Sequence, residues 1–210
     1  MTDIILYDYW RSSASYRVRI VLNLKGLAYK AVSTSLLDGD NKAADYVARN
    51  PQGFVPMLSM DGHDLTQSLA IIDYLDAKVD NPPMVSSDPV ERSTTLAQAL
   101  VIAADVHPVN NLRILKYLKD ELGQEQSAID HWYRHWISEG FAALEAMAPK
   151  VGFFGGEQPN LADVCLVPQM YNARRFETDL SLFPKLVLID AACNELEAFQ
   201  KATPELVKPE

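Results

Sequence analysis

Ile4-Ile5-Leu6-Tyr7-Asp8-Tyr9-Trp10-Arg11-Ser12-Ser13-Ala14-Ser15-Tyr16-Arg17-Val18-Arg19-Ile20-Val21-Leu22 is the stretch whose reading sets the fold. Residues 4–9 form a short apolar run, too short for a helix, and it is broken by Arg11-Ser12-Ser13. Val18, Val21 and Leu22 then recur at helical spacing up to Gly26, which reads as a strand, a turn and a helix. After Gly26-Leu27, Ala28 to Thr34 has strand character again. Two strands joined through a helix run parallel with a right-handed crossover.

Working outward, Asn41 to Arg49 is polar and permits a helix, and Asn50-Pro51-Gln52-Gly53 breaks it. Met57 to Met60 and His63 to Leu65 flank Asp61-Gly62, the signature of a hairpin turn. Ser68 precedes a helix with Ile71, Ile72, Leu75 and Val79 on one face. The order β-α-β-α-β-β-α over residues 1–80 predicts an α/β, thioredoxin-like domain. Asp80 to Pro89 is rich in proline and serine and continues neither helix nor strand, so 81–89 is read as a linker.

Residues 90–210 are read as an all-α domain. Leu96, Ala99, Leu100 and Ala103 follow helical spacing, as do Ile129, Trp132, Trp136, Gly140 and Leu144, and then Leu186, Ile189, Cys193 and Leu196. Pro108 is expected to bend or interrupt the helix that begins near Val90. Asn160 with Asp163 three positions on, ahead of Val164 to Val167, is the pattern of a capping box.

Composition excludes several classes. The 210 residues are 48% hydrophobic and 22% charged, an ordinary globular balance. Nineteen basic against 28 acidic residues give a net charge of -9, which disfavours nucleic acid and anionic lipid as partners. Met1-Thr2-Asp3-Ile4-Ile5-Leu6-Tyr7 has no basic stretch ahead of an apolar run, and no segment approaches the roughly 18 apolar residues of a membrane span, so a cytoplasmic location is expected. Cys165 and Cys193 form no C-x-x-C pair or zinc cluster and sit in apolar stretches as core thiols. Any sulfur chemistry then comes from a bound small molecule. His131 and His135 lie four apart, but position 132 is Trp and no third ligand is evident, so no metal is expected.

The strand-to-helix turn at Arg11-Ser12-Ser13 carries the chemistry. A helix start presents backbone N–H groups and partial positive charge, and a serine hydroxyl there can donate to an anion such as a thiolate. A free thiol has a pKa near 8.5, and lowering it by about two units takes roughly 2.7 kcal/mol of preferential anion stabilisation. One hydroxyl hydrogen bond to a charged acceptor supplies about 1.5–3 kcal/mol. On spacing alone, the favoured reading of Ser12, Ser13 or Ser15 is a plain helix cap.

The run Arg11 to Ile20 resembles the R-S-S-C-S-W-R-V-R-I motif of zeta-class glutathione transferases, the maleylacetoacetate isomerases. Asn50-Pro51 with Val55-Pro56, Gln67-Ser68-Leu69-Ala70-Ile71-Ile72, His107-Pro108-Val109-Asn110-Asn111-Leu112-Arg113-Ile114-Leu115, and Leu161-Ala162-Asp163 with Leu166-Val167-Pro168-Gln169 extend the resemblance over almost the whole chain. The His-Pro-x-Asn-Asn-x-Arg pattern also resembles bacterial maleylpyruvate isomerases. The resemblance implies the glutathione transferase fold, glutathione as cofactor, a homodimer, and cis-trans isomerisation of an anionic maleyl diketo acid in the catabolism of aromatic compounds.

Carried onto this chain, the resemblance implies Ser12 facing the glutathione sulfur, with Ser13 beside it, and Arg11 among the catalytic groups. Ala14 stands where the family has cysteine, which argues against cysteine-dependent reductive dehalogenation and leaves isomerisation intact. Val55, before a cis-proline turn, would meet the cysteinyl unit, and Gln67 and Ser68 the γ-glutamyl carboxylate. His107 and Asn111 fall at further glutathione contacts, and Arg11, Arg113 and Arg175 around the substrate, with Arg174 as a substitute for Arg175. The alternatives are a maleylpyruvate isomerase, a broader transferase or peroxidase acting on halogenated acids, or a non-catalytic glutathione-transferase-like binding protein.

Overall fold

The computed structural model describes residues 3–209. Met1, Thr2 and Glu210, which end the expected domains 1–80 and 90–210 and open the stretch read for targeting, lie outside the described residues. The chain divides into two compact units: the described residues of Met1–Met84 with Glu195–Glu210, and Val85–Asn194.

In the first unit β1 (Ile5–Asp8), α1 (Ser13–Leu24), β2 (Lys30–Ser33), α2 (Ala44–Arg49), β3 (Met57–Met60), β4 (His63–Thr66) and α3 (Ser68–Lys78) follow the expected order. The sheet runs β2-β1-β3-β4, with β1 and β2 parallel and the other pairs antiparallel. Asp61 (φ 52°) and Gly62 (φ 78°) are both left-handed, as a tight two-residue hairpin turn requires. Leu6, Val18, Ile20, Val21, Leu22, Leu58, Ile71, Ile72 and Leu75 are buried between the sheet and its helices. The Val55–Pro56 and Asn81–Pro82 bonds are both cis.

Two basic residues of the α1 region hold this unit together. The Arg19 guanidinium is 1% exposed; its Nη1 donates to both carboxylate oxygens of Asp8 at 2.8 Å, its Nη2 to Trp10 O at 3.0 Å and its Nε to Ala202 O at 3.0 Å. Lys25 Nζ donates to Asp76 Oδ1 at 2.8 Å and to Pro82 O at 2.9 Å, fastening the end of α3 to the segment that follows it. Arg19, with Asn23 Nδ2 donating to Ala198 O at 2.9 Å, also explains a departure from expectation. Residues 195–209, carrying α10 (Glu197–Gln200) and α11 (Pro204–Val207), were expected in the helical domain 90–210 but pack with the first unit, because α1 supplies donors for their carbonyls.

The second unit contains α4 (Pro89–Leu100), α5 (His107–Val109), α6 (Leu112–Asp120), α7 (Gln126–Met147), α8 (Leu161–Arg175) and α9 (Pro184–Asn194). Between α4 and α5, Val101–Val106 is a π-helical segment in which His107 N–H donates to Ile102 O, five residues back. Pro108 has no N–H for a regular ladder, and the wider π turn absorbs the interruption. Leu100, expected on the buried face, is 41% exposed at the point where this change of pitch rotates the register. Gly140 of α7 lets the π segment approach closely, since a Cβ there would lie 2.2 Å from Val106 Cγ2. Trp132 and Trp136 are half-buried and meet edge to face, while Cys165 and Cys193 are buried thiols.

The start of α8 carries the capping box. Asn160 Oδ1 accepts from Ala162 N–H at 2.8 Å, and the buried Asp163 carboxylate accepts from Asn160 N–H at 2.8 Å, Phe154 N–H at 2.9 Å and Gly155 N–H at 3.3 Å. Burial raises its carboxyl to about 6, against the pull of those backbone donors in the opposite direction. Asp163→Ala strands these N–H groups, so we expect a loss of about 3 kcal/mol in urea unfolding. A change within about 0.5 kcal/mol, typical of an unimportant surface position, would remove the cap from this role.

Candidate active site

In the first unit the strand register assembles the expected residues. Tyr7 of β1 pairs with Met57 of β3, which pairs with Thr66 of β4. The segment after β1, which carries Arg11, Ser12 and Ser13, therefore meets the one before β3, with Val55, and the one after β4, with Gln67 and Ser68, at a single end of the sheet.

Ser12 is the N-cap of α1, and its Oγ accepts from Ser15 N–H at 3.2 Å. A hydroxyl that accepts one bond still has its own proton to donate, so capping and donation to an anion are compatible at this oxygen. Ser13 is buried as the first helical residue, and Ala14 follows it half-buried. The Arg11 guanidinium lies 5.1 Å from the Trp10 ring centroid and donates to Tyr9 Oη at 3.4 Å. The loop before β3 is fixed by its carbonyls: Gly53 O accepts from Asn41 Nδ2 at 2.6 Å, and Phe54 O from Tyr46 Oη at 2.6 Å and Asn50 Nδ2 at 2.7 Å. Val55 is thereby held at the head of β3.

Gln67 precedes α3 at φ 69°, a region that side-chain-bearing residues avoid at a cost of about 1–3 kcal/mol. Its side-chain amide bonds that of Gln52. Ser68 is buried, and its Oγ accepts from Nη1 of Arg17 at 3.3 Å. Arg17, itself 2% exposed, thus places a guanidinium behind the start of α3, where backbone N–H groups already favour a carboxylate.

In the second unit, Asn111 caps α6 by accepting from Arg113 N–H at 3.1 Å, and Arg113 lies exposed in its first turn. His107 opens α5 and is half-buried. The 107–113 segment is held to α7 by Asn110 Nδ2 donating to Tyr133 O at 3.0 Å and Trp132 Nε1 donating to Val109 O at 3.0 Å. Arg175 ends α8 beside the same part of α7: its guanidinium lies 4.6 Å from the Phe176 centroid, and the Phe176 ring stacks on Tyr133 at 3.6 Å. The structure separates the two adjacent arginines. Arg174 is ion-paired to the buried Asp190, which gives it a structural task that Arg175 does not share. His131 and His135 are exposed, and no cluster able to hold a metal occurs among the described residues.

Residues 2–77 match the family described as Glutathione S-transferase, N-terminal domain. A maleylacetoacetate isomerase of Rhizobium meliloti is 47% identical over 210 residues, covering 99% of this chain and 99% of its own. The chain belongs to the zeta-class glutathione S-transferase family. Among solved structures, a holo maleylpyruvate isomerase described as a bacterial zeta-class glutathione S-transferase superposes with a TM-score of 0.95 at 41% identity, covering 98% of this chain and 99% of its own. A maleylacetoacetate isomerase of Anaeromyxobacter dehalogenans, with bound dicarboxyethyl glutathione and citrate in its active site, gives a TM-score of 0.88 at 37% identity, covering 100% and 99%.

Sequence reasoning missed Arg17, Phe176 and the part Tyr133 plays beside Arg175. The signal for Arg17 was its place among apolar neighbours on the buried face of α1, where a charged residue is rarely enclosed without a specific partner. The backbone at Gln67 gives a direct test of whether strain is held at this site for binding. Gln67→Gly relieves the left-handed strain and is expected to stabilise the fold by about 1 kcal/mol in urea while weakening retention on immobilised glutathione. Equal retention by both proteins would take Gln67 out of the site.

Proposed function

We propose that this chain is a glutathione-dependent cis-trans isomerase of a maleyl diketo acid, converting maleylacetoacetate to fumarylacetoacetate. The observation that carries the reading is Ser12: its oxygen caps α1 through Ser15 N–H, its proton remains to be donated, and the cysteine of the family motif is replaced by Ala14. The residues present suit a γ-glutamyl tripeptide thiol, with a hydroxyl donor at one helix start and Ser68, backed by Arg17, at another.

Glutathione, when bound, supplies the sulfur that adds reversibly to the conjugated cis double bond, so that rotation occurs about a single bond. Ser12 would donate a hydrogen bond to that sulfur while keeping its proton and, with the N-terminus of α1, favour the ionised form. Val55 offers its backbone to the cysteinyl unit, and Gln67 and Ser68 hold the γ-glutamyl carboxylate. Arg11, Arg113 and Arg175 take the substrate carboxylates and stabilise negative charge as it develops on the conjugated carbonyl, a preorganised electrostatic role. His107 and Asn111 complete the glutathione contacts. In this reading the enzyme is a cytoplasmic homodimer. No described helix is long and apolar enough to cross a membrane.

The dicarboxyethyl glutathione bound in the Anaeromyxobacter relative supports a dicarboxylate seated against the glutathione sulfur. Maleylpyruvate is the second substrate reading, favoured by the 0.95 TM-score to a maleylpyruvate isomerase. The deciding assay supplies glutathione with each cis substrate in parallel. Trans product is expected from maleylacetoacetate, and Ser12→Ala should lower kcat about 10- to 150-fold, the equivalent of one hydrogen bond to a charged group. Trans product from maleylpyruvate alone would transfer the assignment to the second substrate, and none from either would end the isomerase reading.

A further inference from the structure

Arg175 stands on a built support at the end of α8. The end of α8 closes with two bonds, Thr178 N–H to Ala173 O at 2.9 Å and Glu177 N–H to Arg174 O at 3.1 Å, with Glu177 left-handed at φ 55°. That double closure fixes the backbone on which both Arg175 and Phe176 are carried. Phe176 O accepts from Arg134 Nη1 at 3.3 Å, tying the same residue to α7. The Phe176 ring lies against Tyr133 at 3.6 Å and 12°, and the Arg175 guanidinium covers Phe176 at 4.6 Å. Tyr133 is 4% exposed, so the lower ring is locked by the core. Burial pushes its phenol up to about 12, while the charge and hydrogen bond of Arg175 pull the other way, so the hydroxyl stays neutral beside the guanidinium.

We infer that Tyr133 and Phe176 are positioning residues that hold Arg175 ready for a substrate carboxylate, an inference that rests on the isomerase reading above. An arginine neutralised by a carboxylate, as Arg174 is by Asp190, has its N–H edge occupied. One resting on an aromatic face and bonded to a neutral hydroxyl keeps its charge and its remaining N–H groups for a carboxylate. Ordering a long side chain before the substrate arrives removes a penalty otherwise met on binding. The shelf therefore acts on affinity for the anionic substrate and leaves glutathione binding alone.

The test measures both KM values. Phe176→Leu is expected to raise KM for the diketo acid about five- to tenfold, the size of one cation–π contact, with KM for glutathione unchanged. Phe176→Tyr, which retains the aromatic face, should restore the wild-type value. Tyr133→Phe retains the stack, loses only the hydroxyl, and should raise the same KM about threefold, which keeps the inference testable if Phe176→Leu fails to fold. In an Arg175→Ala background Phe176→Leu should add nothing. An equal effect in both backgrounds, or both KM values rising together, would reduce the shelf to ordinary packing. Arg175→Ala leaving the substrate KM unchanged would overturn the inference together with Arg175's role, whereas absence of trans product from the wild-type chain would overturn the isomerase reading itself.

Discussion

The pairing of Tyr7 with Met57 and of Met57 with Thr66 is the constraint on which the first unit depends. It brings three chain segments, distant in sequence, to one end of a four-stranded sheet. Each strand is only four residues long, and a slip of one residue would turn every side chain to the opposite face. The tight turn at Asp61-Gly62 fixes one pairing, and Arg19, bonded to Asp8, Trp10 and Ala202, fixes where β1 ends and α1 begins. The position of Ser12 follows from both.

A chain of net charge -9 that handles anions has to distribute its guanidinium groups by task. Arg19 is matched to Asp8, Arg49 to Asp64 and Arg174 to Asp190, and these pairs fasten elements together. Arg19 and Arg49 lie over Tyr16 and Tyr7 as well, whereas Arg11 and Arg175 lie over Trp10 and Phe176 with no carboxylate partner among the described residues. An aromatic support orients an arginine without neutralising it, so positive charge stays available where overall repulsion would otherwise exclude a dicarboxylate.

Much of this was legible in the sequence because the signals were local. The apolar periods gave the β-α-β-α-β-β-α order, Asp61-Gly62 gave the hairpin, and Asn160 with Asp163 gave the capping box, each resting on neighbours within a few positions. What escaped depended on distant partners. Nothing near Ala198 or Ala202 announces that their carbonyls accept from Asn23 and Arg19, so residues 195–209 were grouped with the wrong unit. The π pitch before Pro108 was anticipated only as an interruption. Arg174 and Arg175 are alike in sequence and differ through Asp190, sixteen positions away, and through the ring of Tyr133. The roles of Ser12, Gln67 and Ser68 rest on the resemblance, because on spacing alone the two serines read as helix caps.

The central claim is that a hydroxyl at the start of α1 keeps a bound tripeptide sulfur ionised. Titrating the ultraviolet absorbance of the thiolate of glutathione bound to the wild-type chain and to Ser12→Ala tests it most directly. The account predicts ionisation about two units below the free-thiol value near 8.5 in the wild type and a return toward that value in the variant. Identical titration curves for the two proteins would contradict it.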